Sequence, residues 1–188
     1  QVDLEMSFVD METVMNTVEE MVTSVVESLG FTIKEKPFPR ISYKDAMEKY
    51  GADKFDLRTP EEKEKGILAY AWVVNFPFFE RTDKEHGTGM EKGEWTFTHN
   101  PFSMPIPEHV EWLMEGKNIE QILTTQYDLV CNGYESGGGS IRAHKPEILR
   151  ATYKVMGFSD EEIEERVGHM LEAFKYGTPP HGGIALGV

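Results

Sequence analysis

The chain has 188 residues, of which 39% are hydrophobic and 28% are charged, a composition typical of one folded domain with a substantial core. Its net charge of −14 argues against a general affinity for nucleic acid, and its single cysteine excludes an intramolecular disulfide framework. No apolar run approaches the roughly 20 residues that a membrane-spanning helix needs, so we expect no membrane partner. No signal peptide is visible, and together with the single cysteine this indicates a reducing, cytoplasmic setting.

The first predicted elements are a strand and a long helix. Apolar and acidic residues alternate over 2–8, which predicts a half-buried strand whose acidic face carries Asp3 and Glu5. That face is either solvated or lines a cleft. Asp10 is a favourable N-cap for a helix over 11–29, where apolar residues recur at helical spacing until a glycine ends it. Because the chain starts inside a strand pattern and stops inside an apolar run, we expect it to be a segment of a longer protein.

The next part of the chain alternates extended and charged stretches. Residues 31–41 are expected to be extended, and a short helix is predicted over 44–50. The stretch 59–66 is strongly charged, and this shift in composition makes it the best candidate for a connector or an insertion point. Residues 67–79 are nearly all apolar or aromatic, which is typical of a strand buried on both faces at the centre of a sheet.

A polar loop, a strand and a second loop are predicted after this buried strand. The first loop is expected over 82–94 and the strand over 95–98. His99 then enters a proline-bounded loop, where a histidine is either a surface or capping residue or a functional one. Pro107 is expected to begin a helix that runs to Glu115.

A hairpin in the second half of the chain carries the polar side chains of greatest interest. Asn132-Gly133 favours a two-residue type I′ turn, because both positions tolerate a positive φ. In the regular register that follows, Asp128 lies opposite Gly137, and Asp128 and Glu135 lie on one face about 7–8 Å apart. Two carboxylates at this separation can reach one divalent cation.

Three glycines and an arginine follow Glu135 on the second strand of this hairpin. The glycines, 137–139, leave open surface where a ligand can approach the backbone. Regular alternation would place Arg142 on the face opposite to Glu135, and a bulge in the glycine run would return it to the same face. Acids, bare backbone and an arginine on one sheet surface indicate a site for a phosphate-bearing, anionic ligand. A solvated hairpin face with a simple bend is the other interpretation.

Two helices and a strand are predicted in the last part of the chain. The first helix begins at Pro146, and a capping box formed by Ser159 and Glu162 begins the second. Residues 178–183 are predicted to be a loop before an apolar strand over 184–187. There is no zinc-type spacing, Walker loop, Rossmann glycine pattern or nucleophile elbow, so no acid–base or nucleophilic catalyst is assigned.

Four blocks of sequence, in order along almost the whole chain, resemble a known family. They are QVDLEMSF (1–8), HNPFSMP (99–105), YDLVCNGYESGGGSIR (127–142) and LEAFKYGTPPHGGIALG (171–187). They resemble, in that order, the second strand of motif 2, the His-His-Pro-Phe-Thr loop, the aspartate- and ATP-binding hairpin, and the approach to motif 3 of bacterial-type aspartyl-tRNA synthetases. The chain is thus similar to the catalytic core of a class II aminoacyl-tRNA synthetase.

The resemblance implies a fold and a domain organisation. The fold would be α+β, a mainly antiparallel sheet flanked by helices, in the incomplete form of the class II catalytic fold. Residues 1–188 would be a partial catalytic domain, with 59–66 a short connector where the family carries an insertion domain.

The resemblance also implies a role for each candidate site residue. Arg142 would clamp the side-chain carboxylate of the substrate L-aspartate, His99 would close over this amino acid, and Asp3 would lie near its ammonium group. Asp128 and Glu135 would hold Mg²⁺ against the phosphates of ATP. Further ATP contacts are implied at three glycines, Gly182, Gly183 and Gly187.

The implied activity is that of an aspartate–tRNA ligase. ATP and L-aspartate would give aspartyl-adenylate, and the aspartate would pass to the 3′ end of tRNA, which a dimeric enzyme would bind mostly through parts outside this chain. Both arginines that hold ATP in the family and its anticodon-binding barrel also lie outside the 188 residues, so we expect no activity from the segment alone. Asn100 replaces the second histidine of the loop pattern. Two alternatives stay open: a tRNA-independent, asparagine-synthetase-like enzyme, and a non-catalytic paralogue that binds aspartate or nucleotide.

Overall fold

The computed structural model describes residues 1–82 and 93–187, which divide into two compact units. The first unit comprises residues 1–76, 126–141 and 181–188, and the second comprises residues 77–125 and 142–180. Most of the loop predicted over 82–94 lies outside the described residues.

The described residues contain the following elements in chain order. The strands are β1 (Val2–Ser7), β2 (Arg40–Ser42), β3 (Tyr70–Val74), β4 (Phe79–Arg81), β5 (Trp95–Phe97), β6 (Gln126–Cys131), β7 (Tyr134–Ile141) and β8 (His181–Leu186). The α-helices are α1 (Met11–Ser28), α2 (Tyr43–Tyr50), α3 (Pro60–Glu64), α4 (Val110–Glu115), α5 (Pro146–Val155) and α6 (Asp160–Phe174). Short 3-10 helices cover Pro107–His109 and Ile119–Gln121.

A six-stranded sheet forms the centre of the first unit. Its strand order is β1-β8-β7-β6-β3-β2, and every neighbouring pair is antiparallel except β2 and β3. The predicted mainly antiparallel sheet flanked by helices is therefore confirmed.

Helices cover the two faces of this sheet. Helix α1 begins where Asp10 accepts a hydrogen bond from the Thr13 N–H at 2.8 Å, and its buried stripe includes Val14, Met15 and Val18. Helix α2 packs on the other face of the sheet, to which Ala71 and Val73 of β3 point. Its contacts there form a second apolar cluster. The members of that cluster are Ala46, Phe55, Ala71, Val73, Phe76 and Val130.

A buried carboxylate ties α1 to the sheet. Glu19 accepts hydrogen bonds from the Phe38 N–H at 2.7 Å, from Arg40 Nη1 at 3.1 Å and from the indole N–H of Trp72 at 3.2 Å. Three donors satisfy a charge that would otherwise be costly to bury. Glu19 thus fixes α1 against β3 and against the segment that leads into β2.

Replacing Glu19 by alanine should lower the free energy of unfolding by about 3–5 kcal/mol, because the substitution leaves buried donors without an acceptor. The matched control is Glu20→Ala, the next residue on the exposed face of α1, which should change stability by less than about 0.5 kcal/mol. Urea unfolding measures both values, and equal effects would contradict a special role for Glu19.

The strand predicted over 67–79 is wrong in extent. Within it, Tyr70–Val74 forms β3 and Phe79 begins β4. Four of the five residues of β3 are buried, as predicted, but β3 lies second from the edge of the sheet and not at its centre. The strand stops because Asn75 adopts a left-handed conformation (φ 58°) two residues before Pro77. The apolar residues that follow belong to the second unit, where Phe78 and Phe79 join a different core.

The charged stretch 59–66 contains the short helix α3, whose first turn is held by several contacts. Thr59 and Glu62 make a capping box at its start. Lys34 Nζ contacts Glu62 and the carbonyl of Leu57, each at 2.7 Å. The stretch is therefore an ordered turn of helix.

The second unit joins a two-stranded sheet, β4 and β5, to α4, α5 and α6 around its own apolar core. The helix predicted from Pro107 to Glu115 starts as a 3-10 turn and becomes α-helical at Val110. The capping box of Ser159 and Glu162 is present at the start of α6, as predicted. No helix within the described ranges is both long and apolar enough to cross a membrane.

Candidate active site

The hairpin of β6 and β7 has the predicted turn but a different register beyond it. Asn132 and Gly133 both have positive φ, and Val130 lies opposite Glu135 as predicted. Asp128, however, lies opposite Gly138 and not opposite Gly137. The register shifts because Ser136 is an extra residue on β7, so the bulge precedes the glycine run instead of lying in it.

The bulge brings the two predicted carboxylates together above Gly138. A Cβ atom built on Gly138 would lie 2.8 Å from Asp128 Oδ1 and 3.3 Å from Glu135 Oε1. Both carboxylates therefore point into the space that a side chain at this position would occupy. Asp128 is buried, whereas Glu135 is exposed at the rim.

Burial and nearby charges shift the ionisation of this pair. Burial, with smaller contributions from the charges of Glu135 and Asp53, raises the pKa of Asp128 to about 7. The hydrogen bond that Gln126 Nε2 donates to Asp128 Oδ1, at 2.8 Å, acts in the opposite direction. Lys54 Nζ lies 2.9 Å from Glu135 Oε2, and this contact raises the pKa of Lys54. A cation bound to Asp128 would favour its ionised form.

The donor set fits a magnesium ion that arrives with a phosphate ligand. Mg²⁺ is commonly held by one or two carboxylates and completes its octahedral shell with water and substrate phosphates. Asp128 and Glu135 supply two such carboxylates. Among the described residues, no group of three or more His, Cys, Asp or Glu side chains is placed to hold a metal ion. The pair therefore suits a shared ion better than a closed protein site.

On the same face of the sheet, a row of small residues lies between Asp128 and one further acid, Asp3. Along one row of the ladders, Asp3 lies opposite Ala185, Ala185 opposite Gly138, and Gly138 opposite Asp128. Directly opposite residues share a face, and three strand spacings place Asp3 about 14 Å from Asp128. Asp3 is exposed, and its Oδ1 accepts a hydrogen bond from Gln1 at 2.9 Å. This arrangement leaves a shallow, side-chain-poor surface with acids at both sides.

Several glycines of β7 and β8 are needed for the packing of the strands themselves. A Cβ on Gly139 would lie 1.9 Å from the carbonyl oxygen of Gly183, and one on Gly183 would lie 2.0 Å from that of Leu4. A Cβ on Gly182 would lie 2.5 Å from Ile141 Cδ1. The predicted loop over 178–183 is accordingly wrong in its last part, since β8 begins at His181 and these glycines pair within the sheet.

Gly187 lies beyond the end of β8 in more open space. The nearest heavy atom to a Cβ built there is the carbonyl oxygen of Ser136 at 3.8 Å. Its N–H donates to the same oxygen at 2.9 Å. ATP contacts at Gly187, Gly182 and Gly183 stay predictions.

Arg142 and His99 both belong to the second unit, and their substrate contacts also stay predictions. Arg142 is half-buried, directly after β7, and forms a β-bridge with Ser103. His99 Nδ1 lies 3.3 Å from the hydroxyl of Thr98. Asn100 Oδ1 accepts hydrogen bonds from the Phe102 N–H at 2.9 Å and the Ser103 hydroxyl at 3.2 Å. The asparagine that departs from the family pattern therefore stabilises the turn of this loop.

Sequence reasoning missed three residues that surround the carboxylate pair. Gln126 could have been found, because it lies two positions before Asp128 and so points to the same face. Asp53 and Lys54 lie far away in sequence, in an irregular segment after α2, and no local pattern connects them to the hairpin.

Comparison with known proteins places the chain in a family. The sequence model described as tRNA synthetases class II (D, K and N) matches residues 1–188. An aspartate–tRNA(Asp/Asn) ligase of Chlorobium chlorochromatii is 45% identical over 142 residues, which cover 76% of this chain and 21% of that protein. A ligase of the same name from Bifidobacterium longum is 28% identical over 307 residues and matches all of this chain. The chain spans about half, 51%, of the length of this second relative.

Solved structures agree on the fold. The aspartyl tRNA synthetase of Entamoeba histolytica has a TM-score of 0.64 at 18% identity, over 98% of this chain and 38% of that chain. The asparaginyl-tRNA synthetase of Pyrococcus horikoshii has a TM-score of 0.59 at 21% identity, over 98% of this chain and 42% of that chain. Because the family model matches the whole length of the sequence, this chain belongs to the class II tRNA synthetases (D, K and N).

Proposed function

We propose that the protein that carries this chain activates L-aspartate with ATP and transfers it to the 3′ end of tRNA. An oxygen of the aspartate α-carboxylate attacks the α-phosphorus of ATP, the bond to the β-phosphate oxygen breaks, and pyrophosphate leaves. The 3′-terminal ribose hydroxyl of tRNA then takes the aspartyl group and AMP leaves. The observation that carries the proposal is the convergence of Asp128 and Glu135 over Gly138.

The carboxylate pair is proposed to hold the magnesium ion of the nucleotide. Mg²⁺ bound there would neutralise negative charge on the phosphates. Asp128 supplies a buried oxygen that Gln126 orients, and Glu135 supplies an oxygen at the exposed rim. Gly138 and Ala185 have no bulky side chain on this face of the sheet, so a planar or extended ligand can lie close to the backbone. Positioning and electrostatics would supply most of the rate acceleration.

The amino-acid substrate is proposed to be recognised by charge. Arg142 would donate two hydrogen bonds to the side-chain carboxylate of aspartate, and His99 would close over the same substrate. Asp3 would pair with the substrate ammonium. The names of the curated relatives, aspartate–tRNA(Asp/Asn) ligases, support aspartate as the amino acid and add tRNA for asparagine as a second acceptor. The protein is further proposed to act as a cytoplasmic homodimer.

Aspartate-dependent exchange of pyrophosphate into ATP, measured with the intact purified protein, tests the activation step. Exchange should require aspartate and Mg²⁺ and should be negligible with asparagine or glutamate. Charging of tRNA(Asp) and tRNA(Asn) transcripts then tests the acceptors. If aspartate supports no exchange, the proposed activity is wrong. Exchange without any charging would indicate a tRNA-independent relative.

A further inference from the structure

Lys54 brings a positive charge into direct contact with the carboxylate pair. It lies in the irregular segment between α2 and α3, and its Nζ is 2.9 Å from Glu135 Oε2. The charges of Asp53 and Asp128 act on the same ammonium. Lys54 is therefore in contact with one carboxylate, and the charges of two others act on its ammonium.

The two oxygens of Glu135 have different surroundings. Oε2 is in contact with Lys54, whereas Oε1 points over Gly138, on the side of Asp128 Oδ1. An ion held by Oε1 and Asp128 would share the Glu135 carboxylate with the ammonium. Two cations on one carboxylate repel each other, and repulsion between a unit charge and a divalent ion is twice that between unit charges at the same distance.

The ion pair between Lys54 and Glu135 contributes little to the stability of the fold. The side chains of Lys54 and Glu135 are 47% and 39% exposed, and ion pairs as exposed as this add little to the folded state. A lysine has a flexible stem and a compact ammonium, so it can turn from a carboxylate to a phosphate when one arrives.

We propose that Lys54 is a resident counter-cation that keeps divalent metal ions off Asp128 and Glu135 until a nucleotide supplies phosphates to which the ammonium can turn. Metal loading would thus depend on the nucleotide. This inference rests on the proposed function, because it takes the carboxylate pair as the site of the metal–nucleotide complex. Lys54 is a positioning residue, since it acts on the ion through Glu135.

Binding of Mn²⁺, followed by the electron paramagnetic resonance signal of the free ion, tests this proposal on the intact protein. Without nucleotide, Lys54→Met should bind Mn²⁺ at least about tenfold more tightly than the natural protein, because the competing charge is gone. Lys54→Arg keeps the charge and should stay within about twofold. The matched control is Lys44→Met, which removes an 82% exposed lysine whose ion-pair partner is Glu48. It makes the same change in net charge and should leave Mn²⁺ affinity unchanged.

A second set of titrations uses a non-hydrolysable ATP analogue. The analogue should increase Mn²⁺ affinity strongly in the natural protein and by a factor at least about tenfold smaller in Lys54→Met. Equal or weaker Mn²⁺ binding by Lys54→Met, with thermal unfolding unchanged, overturns the inference. Analogue binding by calorimetry separates this result from failure of the proposed function. A protein that binds no analogue with or without Mn²⁺ lacks the nucleotide site. If the analogue binds normally but increases Mn²⁺ affinity equally in the natural protein and in Lys54→Met, only the role of Lys54 is excluded.

Discussion

Replacing Arg142 by alanine in the intact protein is expected to lower kcat/KM for aspartate-dependent pyrophosphate exchange by on the order of a thousandfold, while the protein stays folded. A guanidinium can donate two parallel hydrogen bonds to the side-chain carboxylate of aspartate, and its removal leaves that charge without a partner. The backbone around Arg142 is held independently of this side chain. It forms a β-bridge with Ser103, and the next N–H, that of Ala143, donates to the carbonyl of Phe102 at 2.7 Å.

Two further substitutions separate charge from geometry. Arg142→Lys keeps the positive charge but loses the planar fork, so exchange should stay at least about a hundredfold below that of the natural protein. Arg150→Lys is the control, because Arg150 is another half-buried arginine, paired with Glu164 at 2.6 Å on the surface of the second unit. It should leave exchange within about twofold. Natural exchange kinetics in Arg142→Ala would exclude this residue from aspartate recognition, and equal losses at both positions would point to a damaged fold.

The parts of the fold that local chemistry determines could be predicted. The Asn132-Gly133 turn follows from two adjacent positions that accept positive φ, and α6 follows from a capping box and an apolar stripe. The acidic alternation of the first strand correctly placed Asp3 on one face of β1. In each case the residues that determine the structure lie within a few positions of one another.

The parts that depend on neighbouring strands could not be predicted. Glycines usually indicate turns, so residues 181–183 were expected in a loop, yet they lie in β8 because no Cβ fits between the backbones there. A regular register was expected beside Glu135, and a bulge was considered only in the glycine run; the bulge at Ser136 moves the partner of Asp128 by one residue, from Gly137 to Gly138. The sequence does not specify a bulge site uniquely, because pairing with β6 and β8 on both sides of β7 selects it.

The candidate site shows the same division. Asp128 and Glu135 were predicted to share a face from the alternation of strand residues, and the bulge preserves this because it lies after Glu135. Their convergence over one glycine and the approach of Lys54 depend on tertiary contacts. Family resemblance supplied roles for Arg142 and His99 that neither composition nor spacing provides.

Two neighbouring glycines of β7 should respond in opposite ways to the same substitution. Gly139→Ala is expected to prevent folding, with a loss of at least about 4 kcal/mol, because the new Cβ would lie 1.9 Å from the backbone oxygen of Gly183. A backbone atom in the middle of a sheet cannot move away without separating β7 from β8. Soluble yield and thermal unfolding measure this effect.

Gly138→Ala should instead fold and lose metal-dependent function. The atoms nearest to its Cβ would be side-chain atoms, Asp128 Oδ1 at 2.8 Å and Glu135 Oε1 at 3.3 Å, and these side chains can rotate away. Rotation separates the two oxygens that are proposed to share Mg²⁺, so the Mg²⁺ concentration needed for half-maximal exchange should rise about 10- to 100-fold. An unchanged Mg²⁺ requirement in a folded Gly138→Ala protein would show that the ion does not bind above this glycine. Because Gly139→Ala tests the strand and Gly138→Ala tests the surface above it, the pair separates what the glycine run does for the fold from what it does for the ligand.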